Sequence, residues 1–61
     1  MELYNELKEL ILAVEKDADA FYNKNNKAAG TRVRNAMQEI KGKAQDIRVN
    51  VLDVKKTREE A

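Results

Sequence analysis

Sixty-one residues carry twelve Lys/Arg and eleven Asp/Glu for a net charge of +1, with 43% apolar and 38% charged side chains. That length allows one domain, residues 1–61, at a size where a single-chain core is marginal unless disulfides, metal or oligomerisation supplement it. Cys, His, Ser, Trp and Pro are all absent, which removes disulfides, thiolate and imidazole metal sites and the usual general base and nucleophiles, so no enzyme activity, metal or cofactor is expected.

The charge is unevenly placed. Residues 1–25 hold three Lys against six Asp/Glu, and residues 26–61 hold nine Lys/Arg against five Asp/Glu. Either the halves attract each other in a hairpin, or the second presents its charge to a polyanion. The longest apolar run, Leu10 to Val14, is too short to span a bilayer, and the acidic N-terminus lacks the basic region of a secretory signal. No membrane association and a cytoplasmic location are expected.

The first predicted helix runs from about residue 2 to 24. Leu3, Leu7, Leu10, Val14 and Phe21 keep heptad spacing, with Ile11 and Ala18 broadening the stripe. Asp17 falls where that seam calls for an apolar residue, at a bundle edge or facing a basic partner. Glu2, Glu6 and Glu9 suit the positive end of the helix dipole. Asp17-Ala18-Asp19 has the opening of a calcium loop but neither its glycine nor its distal glutamate, so it reads as helix.

A tight turn is expected at residues 25–26. Asn25 can take the left-handed conformation that ends a helix, and Asn26 can cap the next by accepting a backbone N–H. The second predicted helix runs from 27 to about 57. Val33, Met37, Ile40, Ala44, Ile47, Val51 and Val54 alternate spacings of four and three without a fault, as in a helix packed on other helices. Gly42 falls on its outer face.

Folding back about Asn25-Asn26 places Phe21 across from Ala28, Ala29 and Gly30, Val14 near Met37, Leu7 near Ala44 and Leu3 near Ile47. Large faces small at the turn, which gives Gly30 a packing role despite its poor helix propensity. The fold class expected is all-α, a two-helix antiparallel hairpin. Such a hairpin buries one side of each helix, and Val51, Leu52 and Val54 run past the start of helix 1. A homodimer closing as a four-helix bundle is therefore expected.

The second helix carries two further rows. Lys27, Arg34, Lys41, Arg48 and Lys55 recur every seven residues beside the seam. Glu39, Asp46, Asp53 and Glu60 form another row, about 160° away at 100° per residue. The first-helix residues alongside the basic row are Tyr4, Ile11 and Ala18, none an acid, so the row is not neutralised within the hairpin. Arg32 and Arg34, with Lys24 and Lys27, add a cluster near the helix start, where free N–H groups and the dipole favour an anion. From the residues alone two outcomes stay open: these cations pair with glutamates of a second hairpin, or they meet phosphates. Tyr4 and Tyr22 are of a type that stacks on bases, though Tyr22 beside Phe21 reads rather as packing near the turn, and Thr31 reads as a surface residue or a phosphate donor.

The block Asn26-Lys27-Ala28-Ala29-Gly30-Thr31-Arg32-x-Arg34, entered from a mildly acidic helix and followed by a Lys/Glu-rich one with apolar heptads, resembles the bacterial linker-histone-like proteins, the chlamydial-type histone-like nucleoid family. The resemblance covers most of residues 15 to 56. It implies a small histone-like, nucleoid-associated protein that binds double-stranded DNA, with Lys24, Lys27, Arg32, Arg34, Lys41 and Arg48 as candidate phosphate contacts. Chlamydial members carry a long Lys/Ala-rich tail, whereas this sequence closes on Thr57-Arg58-Glu59-Glu60-Ala61, so modest affinity is expected. The alternatives are a protein-interaction or scaffolding bundle without a DNA role, and an RNA-binding hairpin dimer.

Overall fold

The chain breaks where its asparagines fall. In the computed structural model, which describes residues 1–60, helix α1 spans Glu2–Lys24 and helix α2 spans Lys27–Glu60. Asn25 is the one non-glycine residue at positive φ (59°, ψ 27°) among those described, and the amide side chain makes that left-handed position tolerable. The Ala20 carbonyl, left over at the end of α1, accepts the N–H of Asn25 and, at 3.0 Å, that of Asn26. Asn26 then starts α2: its Oδ1 accepts the Ala29 N–H at 3.1 Å, satisfying one of the donors a helix start leaves free. Helix α2 outlasts its expected end near residue 57, because the Thr57-Arg58-Glu59-Glu60 stretch contains no helix breaker. Ala61, the last residue of the expected domain, lies outside the described residues, as does the side chain of Glu60, expected on the acidic row.

The two helices pack antiparallel in a rod of 53 × 15 × 12 Å. Their register is fixed at both ends and in the middle. At the turn, a Cβ on Gly30 would sit 2.6 Å from Phe21 Cδ1, so the ring lies directly on the glycine backbone. Midway, Arg32 Nε donates to Asp17 Oδ1 at 2.9 Å and Lys43 Nζ to Glu6 Oε2 at 2.8 Å. At the open end, Leu3 and Tyr4 border the same groove as Ile47 and Val51. These pairings reproduce the expected Phe21–Gly30 and Leu3–Ile47 neighbours.

The core is small. Among the described residues only Val14 and Ala29 are buried, and around them Leu3, Leu7, Leu10, Ala18, Val33, Ala36, Ile40, Ala44 and Ile47 are half-buried. Two seam expectations need correcting. Ile11, expected to broaden the stripe, is 49% exposed, and Met37 is 46% exposed while Ala36 turns inward instead. The cause is a small rotation of α2: drawing Lys43 and Arg32 toward the acids of α1 brings the Ala29–Ala36–Lys43 row inward and swings the Met37–Val51 row out. Asp17 sits half-buried on the seam and pairs with Arg32, the second of the two outcomes its position allowed. Among the described residues no helix is long and apolar enough to cross a membrane.

Candidate nucleic-acid interface

The rotation gives the hairpin two unlike faces. On one, Glu6 and Ala13 of α1 lie beside Glu39, Gly42, Lys43 and Asp46 of α2 around an open, acid-rimmed groove. The two ion pairs that join the helices among the described residues, Lys43–Glu6 and Arg32–Asp17, belong to this side. The Glu6 hydrogen bond is the main cause that pushes the Lys43 ammonium above the usual lysine range, with burial working against it.

The other face carries the basic row. Lys27, Arg34, Lys41, Arg48 and Lys55 are all exposed, and among the described residues none forms an ion pair. The neighbouring α1 row on this face is Tyr4, Ile11 and Ala18, which offers no carboxylate, as the sequence led one to expect. Successive charges stand about 10.5 Å apart along the helix, and the row runs about 42 Å. Toward the turn, Lys27 and Arg34 border a shallow groove with Phe21, Tyr22, Gly30 and Thr31. There the two rings meet edge to face, centroids 4.9 Å apart, so Tyr22 packs against Phe21 while remaining 75% exposed.

The six candidate phosphate contacts therefore divide. Lys27, Arg34, Lys41 and Arg48 are brought together as one row. Lys24 and Arg32 are not part of it: Lys24 Nζ lies 3.5 Å from Asp19 Oδ2, and Arg32 reaches across to Asp17 on the opposite face. The expected cluster of Arg32 beside Arg34 is thus taken apart, because residues two apart on a helix point about 200° from each other. Asp19 is held below the usual carboxylate range, first by the Asn23 side-chain amide, which donates to it at 2.7 Å, and then by the Lys24 charge. Lys55, which the sevenfold spacing placed on the same row but which is not among the six candidate contacts, is exposed alongside them. Among the described residues no group of three or more acids, His or Cys is arranged to hold a metal ion.

The arrangement can hold a chain of anions along one edge by charge and hydrogen bonding, the kind of contact that positions a backbone without reading sequence. In comparisons with known proteins, the family model described as Histone H1-like protein Hc1 matches residues 1–57. Nothing among curated proteins and nothing among solved structures matches the chain.

Proposed function

The chain belongs to the histone H1-like Hc1 family, the one its Asn26 to Arg34 block resembles, and from that premise we propose that it is a histone-like nucleoid protein binding DNA phosphates through the basic row of α2. The observation that carries this reading is the row itself: five exposed cations on one face with no carboxylate partner among the described residues. Duplex DNA offers one negative charge per about 1.7 Å of axis, so each cation finds a phosphate without any particular sequence. Binding is electrostatic and largely sequence-independent. Lys24 joins by exchanging its exposed partner Asp19, a cheap exchange because surface ion pairs are worth about 0–1 kcal/mol, whereas Arg32 is tied to the half-buried Asp17 and contributes less.

The second part of the reading is a homodimer. Large apolar side chains remain exposed along the rod, among them Ile11, Met37, Val51, Leu52 and Val54, whereas just two of the described residues are buried, and a partner that covers the exposed ones would supplement so small a core. The test is charge reversal of Arg34 and Lys41 to Glu, with DNA affinity and mass in solution measured on the same sample. The DNA reading expects binding to be lost and the oligomer to survive. Loss of the oligomer instead would favour a scaffolding bundle whose flank charges set register, and binding of RNA in preference to duplex DNA would redirect the same row to the other nucleic acid.

A further inference from the structure

The exposed apolar residues are not scattered evenly. Tyr4 and Ile11 of α1 and Met37 and Val51 of α2, each about half exposed, lie on the face opposite the two interhelical ion pairs. Their α2 row is Gly30, Met37, Ala44 and Val51, directly between the seam and the basic row. It is nearly symmetric: Ala44 is small and central, with Met37 seven residues before it and Val51 seven after. Cations flank the same centre, Lys41 three residues before Ala44 and Arg48 four after.

We propose that a second copy covers this face in antiparallel fashion about a two-fold axis at Ala44, so that Lys41 and Arg48 of both copies meet in one four-cation site for the phosphates of DNA. Met37 of each copy then packs on the partner's Val51, and the two Ala44 residues let the helices approach closely. This rests on the homodimer reading above for its second copy and on the phosphate-binding reading of the basic row for its ligand, and adds to them the axis, the facing residues and the joint site.

Three features select a second copy in this orientation. The face is about 30 Å long and about 20 Å wide, roughly 600 Å² per copy, which clears the about 1,000 Å² total that a specific interface needs. Helix α2 runs beyond the start of α1, so Leu52 and Val54 have nothing opposite them in their own chain, while Phe21 and Tyr22 stand exposed at the other end. An antiparallel mate lays the overhang of each copy along the turn end of the other and covers both at once, whereas a parallel mate leaves the aromatic ends bare. Antiparallel packing also opposes the dipoles of the two α2 helices.

The cost of this arrangement is its signature. Four like charges at the centre repel, and salt or a polyanion relieves them. The dimer therefore tightens as salt rises while DNA binding weakens, and DNA at low salt promotes the dimer.

The chain has no cysteine, so single introduced ones report directly. With Ala44→Cys near the axis, an effective concentration in the millimolar range makes disulfide formation at micromolar protein faster than for the outward Gln45→Cys by on the order of a hundredfold. Met37→Cys, whose mate is the partner's Val51, stays with the slow control. Measured without DNA at high salt, this tests the dimer alone, and a DNA titration of the same proteins tests the phosphate reading alone. Equal rates for Ala44→Cys and Gln45→Cys overturn the proposal, and rapid Met37→Cys crosslinking overturns it in favour of a parallel mate. Lys41→Glu with Arg48→Glu supplies the second arm: the Ala44→Cys crosslink at low salt should be retained or accelerated. Its loss there, with helicity by circular dichroism intact, would show that these cations hold the copies together by pairing rather than repelling, and would also overturn the proposal.

Discussion

Replacing Gly30 with alanine sets two effects of opposite sign against each other. A glycine inside a helix costs about 1 kcal/mol relative to alanine, so the new methyl should stabilise α2. It would also stand 2.6 and 2.7 Å from two carbons of the Phe21 ring, far inside contact distance. Phe21 is 40% exposed, so it escapes by swinging outward. That movement uncovers the buried part of the ring, about 1–2 kcal/mol of apolar burial, and breaks the edge-to-face contact with Tyr22, about 0.5–1 kcal/mol more. The loss exceeds the gain, and Gly30→Ala should destabilise by about 1 kcal/mol. Gly42 is the internal control, because nothing lies within 4 Å of a Cβ built there; Gly42→Ala should stabilise by about 1 kcal/mol. Urea denaturation followed by helical circular dichroism at one protein concentration separates the two variants by about 2 kcal/mol in opposite directions. If Gly30→Ala stabilises as much as Gly42→Ala, the close approach of Phe21 to α2 is wrong, and the register at the turn with it.

Asn26→Ala removes the acceptor for the Ala29 N–H and should cost about 1 kcal/mol in the same assay, with α2 fraying from its start in hydrogen exchange. Asn23→Ala removes the first cause of the low Asp19 titration, so a carboxyl titration by NMR should find Asp19 moved back up toward the usual range. Because the folded value is depressed, Asp19 contributes stability above its unfolded titration and loses it as pH falls through the folded one; the variant should flatten that acid limb. Lys43 has the opposite sign: its folded value is raised by Glu6, so its contribution is full below the unfolded lysine titration and is lost as pH rises through the folded one. Glu6→Gln should therefore weaken the loss of stability in strong alkali. Reversal of Arg34 and Lys41 to Glu should abolish DNA binding at low salt, whereas reversal of Arg32 alone should weaken it less, since that side chain begins on the other face.

Much of the fold was legible because local chemistry and period agree. Two asparagines between uninterrupted helix formers fixed the turn, and Asn25 and Asn26 each do what their side chains favour. Heptad counting gave the register, since Phe21 has only glycine and alanines small enough to face it. What it did not give was the rotation of α2 about its own axis. A seam of Val33, Met37 and Ile40 and a seam of Val33, Ala36 and Ile40 share the same period, and the choice is made by Lys43 and Arg32 finding Glu6 and Asp17 across the hairpin. Those pairs join residues 37 and 15 positions apart, beyond any local signal. The same rotation exposes Ile11 and Met37. For the candidate interface, the basic row was readable from its sevenfold spacing, but the apparent Arg32–Arg34 cluster was an artefact of adjacency in sequence.

The most direct test of the central claim is the salt dependence of binding to mixed-sequence duplex DNA. If the five cations of the basic row each neutralise a phosphate, the logarithm of affinity should fall linearly with the logarithm of salt concentration with a slope of about −4.5, and the slope should not change with DNA sequence. An affinity that stays constant between low and physiological salt, or no binding at low salt, would contradict the account.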